Sequence, residues 1–237
     1  MKYHFVSKEI LVAALVLFAS CTSNEIGNSK DVNPDAVFFD YKIWAEEGKE
    51  EVTINLKYRM GGPNGTTLDL NEPSQVIMDK EKLELDSAKF SGAYYEVQKP
   101  LAGFSGMHSI VFTDFNKKEY KEEFEFIPFS LSPDVPEVLS RGNLVFQFSG
   151  LEPVDYIRVS LTDTSFTSID INDVDTVKNG RLIITAERLS TLKSGPINLQ
   201  FYKEQERLLK NTSAEGGRLS ITYGLKREFE LKDAKNN

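Results

Sequence analysis

Val52-Thr53-Ile54-Asn55-Leu56-Lys57-Tyr58-Arg59-Met60 is the stretch whose reading decides the fold. Apolar residues occupy every second position and polar ones fill the gaps. That is the period of a strand with one face buried and the other wetted, whereas a helix would need apolar residues three and four apart. Working back, Val37, Phe39, Tyr41 and Ile43 repeat the pattern, and Glu46-Glu47-Gly48 supplies a turn between the two strands. Working forward, segments 75–78, 82–85, 93–98, 108–113 and 120–127 are further strand candidates, with 114–118 as a hairpin turn.

Residues 130–137 break the pattern with Pro133 and Pro136. Proline has no N–H to give a ladder, so a domain boundary is expected there. Beyond it, 144–148, 156–162, 168–171, 182–186, 197–202, 219–223 and 227–231 read as strands, and only 186–193 hints at a helical turn. Short strands at this spacing, punctuated by Gly, Pro and Asn, favour a sandwich or small barrel over a βαβ fold. The expectation is an all-β chain with two tandem antiparallel β-sandwich domains, 36–131 and 137–232. Tyr120-Lys121-Glu122-Glu123-Phe124-Glu125-Phe126 and Leu225-Lys226-Arg227-Glu228-Phe229-Glu230-Leu231 echo each other, which would fit a duplication.

The N-terminus carries Lys2 and Lys8 ahead of an apolar run from Ile10 to Ala19, then Ser20 and Cys21, the only cysteine. Such a run is an export signal, too short for the ~20 apolar residues of a membrane-spanning helix. Leu17, Phe18, Ala19, Ser20 and Cys21 resemble the lipobox of bacterial lipoproteins, with Phe18 where Leu is usual. The resemblance implies removal of a signal peptide, 1–20, and acylation of Cys21, which would tether the chain to outer-membrane lipid. Thr22 after the cysteine, in place of Asp, implies outer-membrane sorting, the side of that membrane being left open. Residues 21–35 are polar, carry Gly27 and Pro34, and are expected to be a flexible tether.

With signal, tether and two strand-rich blocks, the whole chain resembles the two-domain immunoglobulin-like β-sandwich lipoproteins of Bacteroidota-type envelopes. The Cys, Trp, Cys hallmark of antibody domains is missing, and the resemblance brings no catalytic motif.

Composition adds exclusions. The net charge is −8, and no Lys/Arg block is present, so nucleic acid is not an expected partner. After signal removal the one histidine is His108, expected to be half-buried, and no G-x-S-x-G, H-E-x-x-H or phosphate-cradling glycine loop appears. No enzyme and no cofactor are expected; a glycan-active hydrolase would need only two convergent carboxylates.

Asp170, Asn172, Asp173 and Asp175 gather hard oxygen donors of the kind calcium takes, but Asp170 and Asn172 alternate with Ile169 and Ile171 as on the wet face of a strand. Trp44, Tyr94, Tyr95 and Phe104 are the ligand-stacking candidates; of the adjacent tyrosines one must point in and the other out. Residues 60–65 form a glycine-rich connection, either a binding loop or a plain connector. Asp86-Ser87-Ala88 and Asp175-Thr176-Val177 resemble the short O-glycosylation signal of Bacteroidota-type bacteria. The expected function is a lipid-anchored envelope module binding a glycan or protein, with a pilin-like or scaffold subunit as the alternative.

Overall fold

The computed structural model describes residues 26–88, 92–165 and 168–233, so the signal segment and Cys21 lie outside the described residues. The first half carries β1 (Ile26–Asn28), β2 (Val37–Glu46), β3 (Glu51–Met60), β4 (Thr66–Asp69), β5 (Gln75–Met78), β6 (Glu81–Lys82), β7 (Leu85–Ala88), β8 (Gly92–Pro100), β9 (Gly106–Thr113) and β10 (Glu119–Phe126). The second carries β11 (Ser130–Leu131), β12 (Val138–Ser140), β13 (Leu144–Ser149), β14 (Val154–Asp163), β15 (Ile171–Lys178), β16 (Arg181–Ile184), a four-residue helix α1 (Ala186–Leu189), β17 (Gly195–Leu208) and β18 (Gly217–Lys232). The protein is all-β, with sandwich layers throughout.

In the first sandwich β9, flanked by β10 and β5, makes one layer with β6. It packs on the layer β8-β3-β2 through Phe39, Tyr58 and Phe112. Phe112 stacks on Tyr58 at 4.2 Å between centroids, and Phe39 meets Phe112 edge-on at 5.0 Å. Offset and edge contacts of this kind add to the burial of large rings. The alternation in β3 holds, with Val52, Ile54, Leu56 and Tyr58 fully buried.

In the second sandwich β14, β15 and β17 form one layer, and β16, β13 and β11 fold back over it from the β15–β16 corner. Phe146 and Phe148 of β13 meet Phe201 of β17 edge-on at 5.1 and 5.0 Å, which shows that the two layers face each other.

Two strands expected at 219–223 and 227–231 are one continuous strand, β18. It pairs antiparallel with β17 from Gly195 opposite Leu231 to Leu208 opposite Arg218. Its other edge is divided. Residues 217–224 run parallel to β2, and 230–232 run parallel to β12. The β17–β18 ribbon therefore belongs to both sandwiches, and the limits expected for the second unit, 137–232, need correction: residues 217–224 hydrogen-bond into the first sheet. Sequence periodicity cannot show this, because β18 keeps one parity along its whole length. Gly217 permits the approach, since a Cβ there would sit 2.8 Å from the Phe39 carbonyl oxygen.

Part of the 21–35 stretch expected to be a tether belongs to the fold. Ile26 to Asn28 pair in parallel with β4, and buried Ser29 donates toward Ser74 Oγ at 3.3 Å while accepting from the Asn71 amide at 2.8 Å. The echoing segments occupy different places: Tyr120 to Phe126 lie in β10, at the end of its sheet, whereas Leu225 to Leu231 lie mid-sheet in β18.

One apolar cluster runs through both halves. Phe126 and Phe129 each meet Tyr223 edge-on, at 5.9 and 5.5 Å, and Phe129 passes the contact on to Phe148 at 5.8 Å. We expect one cooperative transition in chemical denaturation, with Trp44 fluorescence and far-ultraviolet circular dichroism coinciding. Phe201→Ala, in the second sandwich, should lower the Trp44-reported stability of the first by about 3 to 5 kcal/mol; separate transitions would contradict a shared core.

Candidate ligand-binding face

Because β18 keeps one parity, the opposite face of the ribbon and its neighbours turns to solvent as a continuous surface. Trp44 and Lys42 of β2 lie there, with Ser220, Thr222 and Gly224 of β18, Tyr202 and Glu204 of β17, and Arg158 and Tyr156 of β14. Trp44 is 43% exposed and lines a depression of about 440 Å³ with Glu46, Lys49, Glu51 and Thr53.

Tyr202 is the residue that sequence reading did not single out. It pairs with Gly224, and a Cβ on that glycine would lie 2.6 Å from the Tyr202 ring. The ring therefore lies down over the glycine, half exposed, and its hydroxyl donates to Gln200 Oε1 at 2.7 Å. Burial of its inner face pushes the phenol up from its ordinary range; Lys226 pulls against that shift, and Glu46 adds to it. The register puts Trp44 beside Thr222, one strand and two residues away from Gly224. Trp44 and Tyr202 thus stand on strands about 10 Å apart, two sheet spacings. Only small side chains lie between them on β18. Tyr156, 60% exposed, continues the row one strand beyond Tyr202.

Several charges on this face are paired. Lys226 meets Glu46 at 2.6 Å, and Arg158 meets Glu204 at 3.0 Å. Asp40, only 2% exposed, is held by Arg218 at 2.9 Å and Arg59 at 3.6 Å. Between Trp44 and Tyr202 themselves the side chains on β18 are hydroxyl or absent, Thr222 and Gly224, while Lys42, Lys49 and Glu51 add charge around Trp44.

Other candidates fare differently. Tyr95 and Phe104 are core residues, which corrects their reading as stacking groups. The Tyr95 hydroxyl accepts the Leu70 amide at 2.7 Å, and burial pushes the phenol up to about 12. Tyr94 is the outward member of its pair, but the Lys57 ammonium sits 5.7 Å from its ring centroid, over the face a ligand would use. Phe104 stacks on His108 at 3.8 Å.

His108 is half-buried in β9. Its Nδ1 lies 2.6 Å from Asp79 Oδ2, and its Nε2 lies 2.7 Å from the Phe104 carbonyl oxygen. Both ring nitrogens are thus engaged by groups of the chain itself, and neither is turned toward a serine or threonine hydroxyl in these contacts.

Asp173 and Asp175 face the Arg188 guanidinium of α1, bidentate on Asp175 at 2.8 and 3.0 Å and on Asp173 at 3.1 Å. Asn172 turns to Arg158 at 3.5 Å, and Asp170 precedes the strand. An arginine thus stands where a calcium ion would have to sit. Two of the four candidates are neutralised from the chain itself, which a reading of residues 170–175 alone could not show.

No family model matches the chain, and no curated protein does. Among solved structures it is similar to Dpr11 IG1 bound to DIP-gamma IG+IG2, at 9% identity and a TM-score of 0.24, covering 83% of this chain and 98% of that one. Similarity to the adhesin InvE of Yersinia pseudotuberculosis stands at 10% and 0.21, covering 81% and 59%. For the Bacteroides ovatus SGBP-B in complex with mixed-linkage heptasaccharide the values are 10% and 0.17, covering 88% and 69%. Likenesses this slight say nothing about function; the sandwich architecture rests on the pairing and core contacts above.

At the rim of the second sandwich, burial disfavours the charged Asp155. The Lys203 ammonium at 2.6 Å and the amides of Tyr156 and Glu152 outweigh it and hold the carboxyl below its usual range. A lowered carboxylate pKa stabilises the fold above the unfolded value, near 4, and that stability is lost as pH falls through the folded value. Lys203→Met should cost about 2 kcal/mol at pH 7 and clearly less at pH 2.5, read from urea midpoints.

Proposed function

We propose that this chain is a lipid-anchored, non-catalytic carbohydrate-binding module of the bacterial cell envelope. The observation that carries the reading is the pair of aromatic platforms, exposed Trp44 and glycine-seated Tyr202, on one face of the shared ribbon. Aromatic faces bury the apolar C–H side of a sugar ring, and the hydroxyl and amide groups between them meet its edges. The lipobox-like Leu17 to Cys21 supports the anchor; among the described residues no helix is long and apolar enough to cross a membrane. The geometry of His108 supports the absence of a histidine base. On this reading the domain limits become 26–131 plus the first half of β18, and 137–232 minus it.

A glycan array probed with the mature chain should give binding to neutral oligosaccharides. Trp44→Ala and Tyr202→Ala should each weaken that binding about tenfold, or 1.4 kcal/mol, with the Trp44→Ala melting curve unchanged. Binding by neither the wild type nor a polyvalent display of it to any glycan would sink the reading.

The scaffold alternative rests on strand addition, and β15 is the place to look, since beyond Lys178 opposite Arg181 no pairing joins it to β16 among the described residues. Asn172, Asp173 and Asp175 fill that strand, and charge at an edge is how natural sheets block addition. Sedimentation of the acyl-free mature chain should therefore give a monomer, and concentration-dependent self-association would favour the scaffold.

A further inference from the structure

The ends of the strands converge where the chain enters the fold. Val37 stands opposite Met60, Met60 opposite Thr66, Ile26 opposite Thr67, and Leu208 opposite Arg218, so all of them share one end of the first sandwich. The 114–118 turn joins them, for Asp114 and Phe115 line a small cleft with Pro34, Val37 and Leu68. Four large apolar side chains are turned outward at this pole. Leu208 is 79% exposed, Ile26 and Met60 are 42%, and Phe115 is 38%.

The loops that carry these residues are held in place by the chain itself. Arg59 Nη1 donates to the Gly65 carbonyl oxygen at 3.0 Å, closing the 60–65 connection. At the tip of the ribbon, Ser213 Oγ donates to the Val37 carbonyl oxygen at 2.5 Å, and the Glu215 amide donates to the Asp35 carbonyl oxygen at 3.1 Å. Lys117, Lys118 and Lys210 stand among Asp35, Glu119 and Glu215, a mixed set that neither repels nor strongly attracts a charged surface.

Only four residues lie between Cys21 and Ile26, five steps of chain from one to the other. Extended chain reaches at most about 3.6 Å per residue, so that stretch spans no more than about 18 Å. With Cys21 acylated, this pole and no other must lie within that distance of the lipid glycerol.

We propose that the pole formed by Ile26, Met60, Phe115 and Leu208 rests on the phospholipid bilayer into which the Cys21 acyl chains insert. The proposal builds on the lipid anchor proposed above. Apolar side chains at the headgroup boundary add to an acyl anchor in the way a second membrane signal does. The pole then fixes the orientation. The β17–β18 ribbon, about 50 Å long at 3.3 Å per residue, rises from the bilayer and lifts the second sandwich off it.

The test uses the acylated mature chain in vesicles of phosphatidylethanolamine and phosphatidylglycerol. Acylation leaves Cys21 without a free thiol, so a spin label attaches only to an introduced cysteine, Leu208→Cys or Met60→Cys at the pole and Val138→Cys in the second sandwich. Accelerated relaxation by oxygen, relative to a water-soluble nickel complex, reports depth. The expected result is an oxygen-to-nickel ratio several-fold higher at 208 and 60 than at 138. Equal ratios in a chain whose intact mass carries the acyl groups would overturn the resting pole while leaving the anchor standing. A mature chain whose mass shows no acyl group would overturn the anchor and this proposal together.

Discussion

Everything in this protein hangs on a two-stranded ribbon whose paired length exceeds what one sandwich can cover. Strand β18 gives one edge to β17 along its whole course and divides the other between β2 and β12. A strand cannot slip by one residue without turning every inward side chain out. The register that buries Leu219, Tyr223 and Leu225 in one half therefore also fixes Phe229 and Leu231 in the other. The rings of Phe126, Tyr223, Phe129 and Phe148 then bridge the junction and make the two cores one.

Charged residues seal the places where the ribbon meets its neighbours. Arg227, on the inward side of β18, reaches Glu47 of the β2–β3 turn at 2.5 Å and also Asp134 of the proline-rich connection. Burial opposes its charge, and the two carboxylates more than restore it. Arg207 near the far end of β17 holds buried Glu122 of β10 at 2.6 Å, and the Lys210 amide bonds the same carboxylate at 3.0 Å. Each pair joins segments distant in sequence. A charge left alone in any of them would be costly, so the pairs favour this arrangement of layers over others with equal apolar burial.

The same ribbon separates two working surfaces. Its wet face carries the Trp44 and Tyr202 platforms, and its tip carries Leu208 at the end where the chain enters. On the proposed reading the candidate face runs along the long direction and stays clear of the bilayer when the tip is down. Orientation follows from where the N-terminus joins the sheet. Ile26 pairs into β4 rather than hanging as a tether, so the folded body starts within a few residues of Cys21, the proposed site of acylation.

Sequence by itself determined the elements that depend on near neighbours: the alternation of β3, the 114–118 turn, the short helical turn of α1, and that one of Tyr94 and Tyr95 must point in and the other out. Period and turn chemistry are local properties, and 52–60 displays them plainly. Tertiary structure alone decided which elements share an edge. It made one strand of 217–232, drew 26–28 into a sheet, buried Tyr95 and Phe104, closed both nitrogens of His108, and set Arg188 against Asp173 and Asp175. It also laid Tyr202 over Gly224, 22 residues away in the chain. The physical reason is common to all of these. Alternation says that a side chain faces inward or outward but not which strand lies beside it, and that choice is made by packing and charge pairing between segments far apart in sequence.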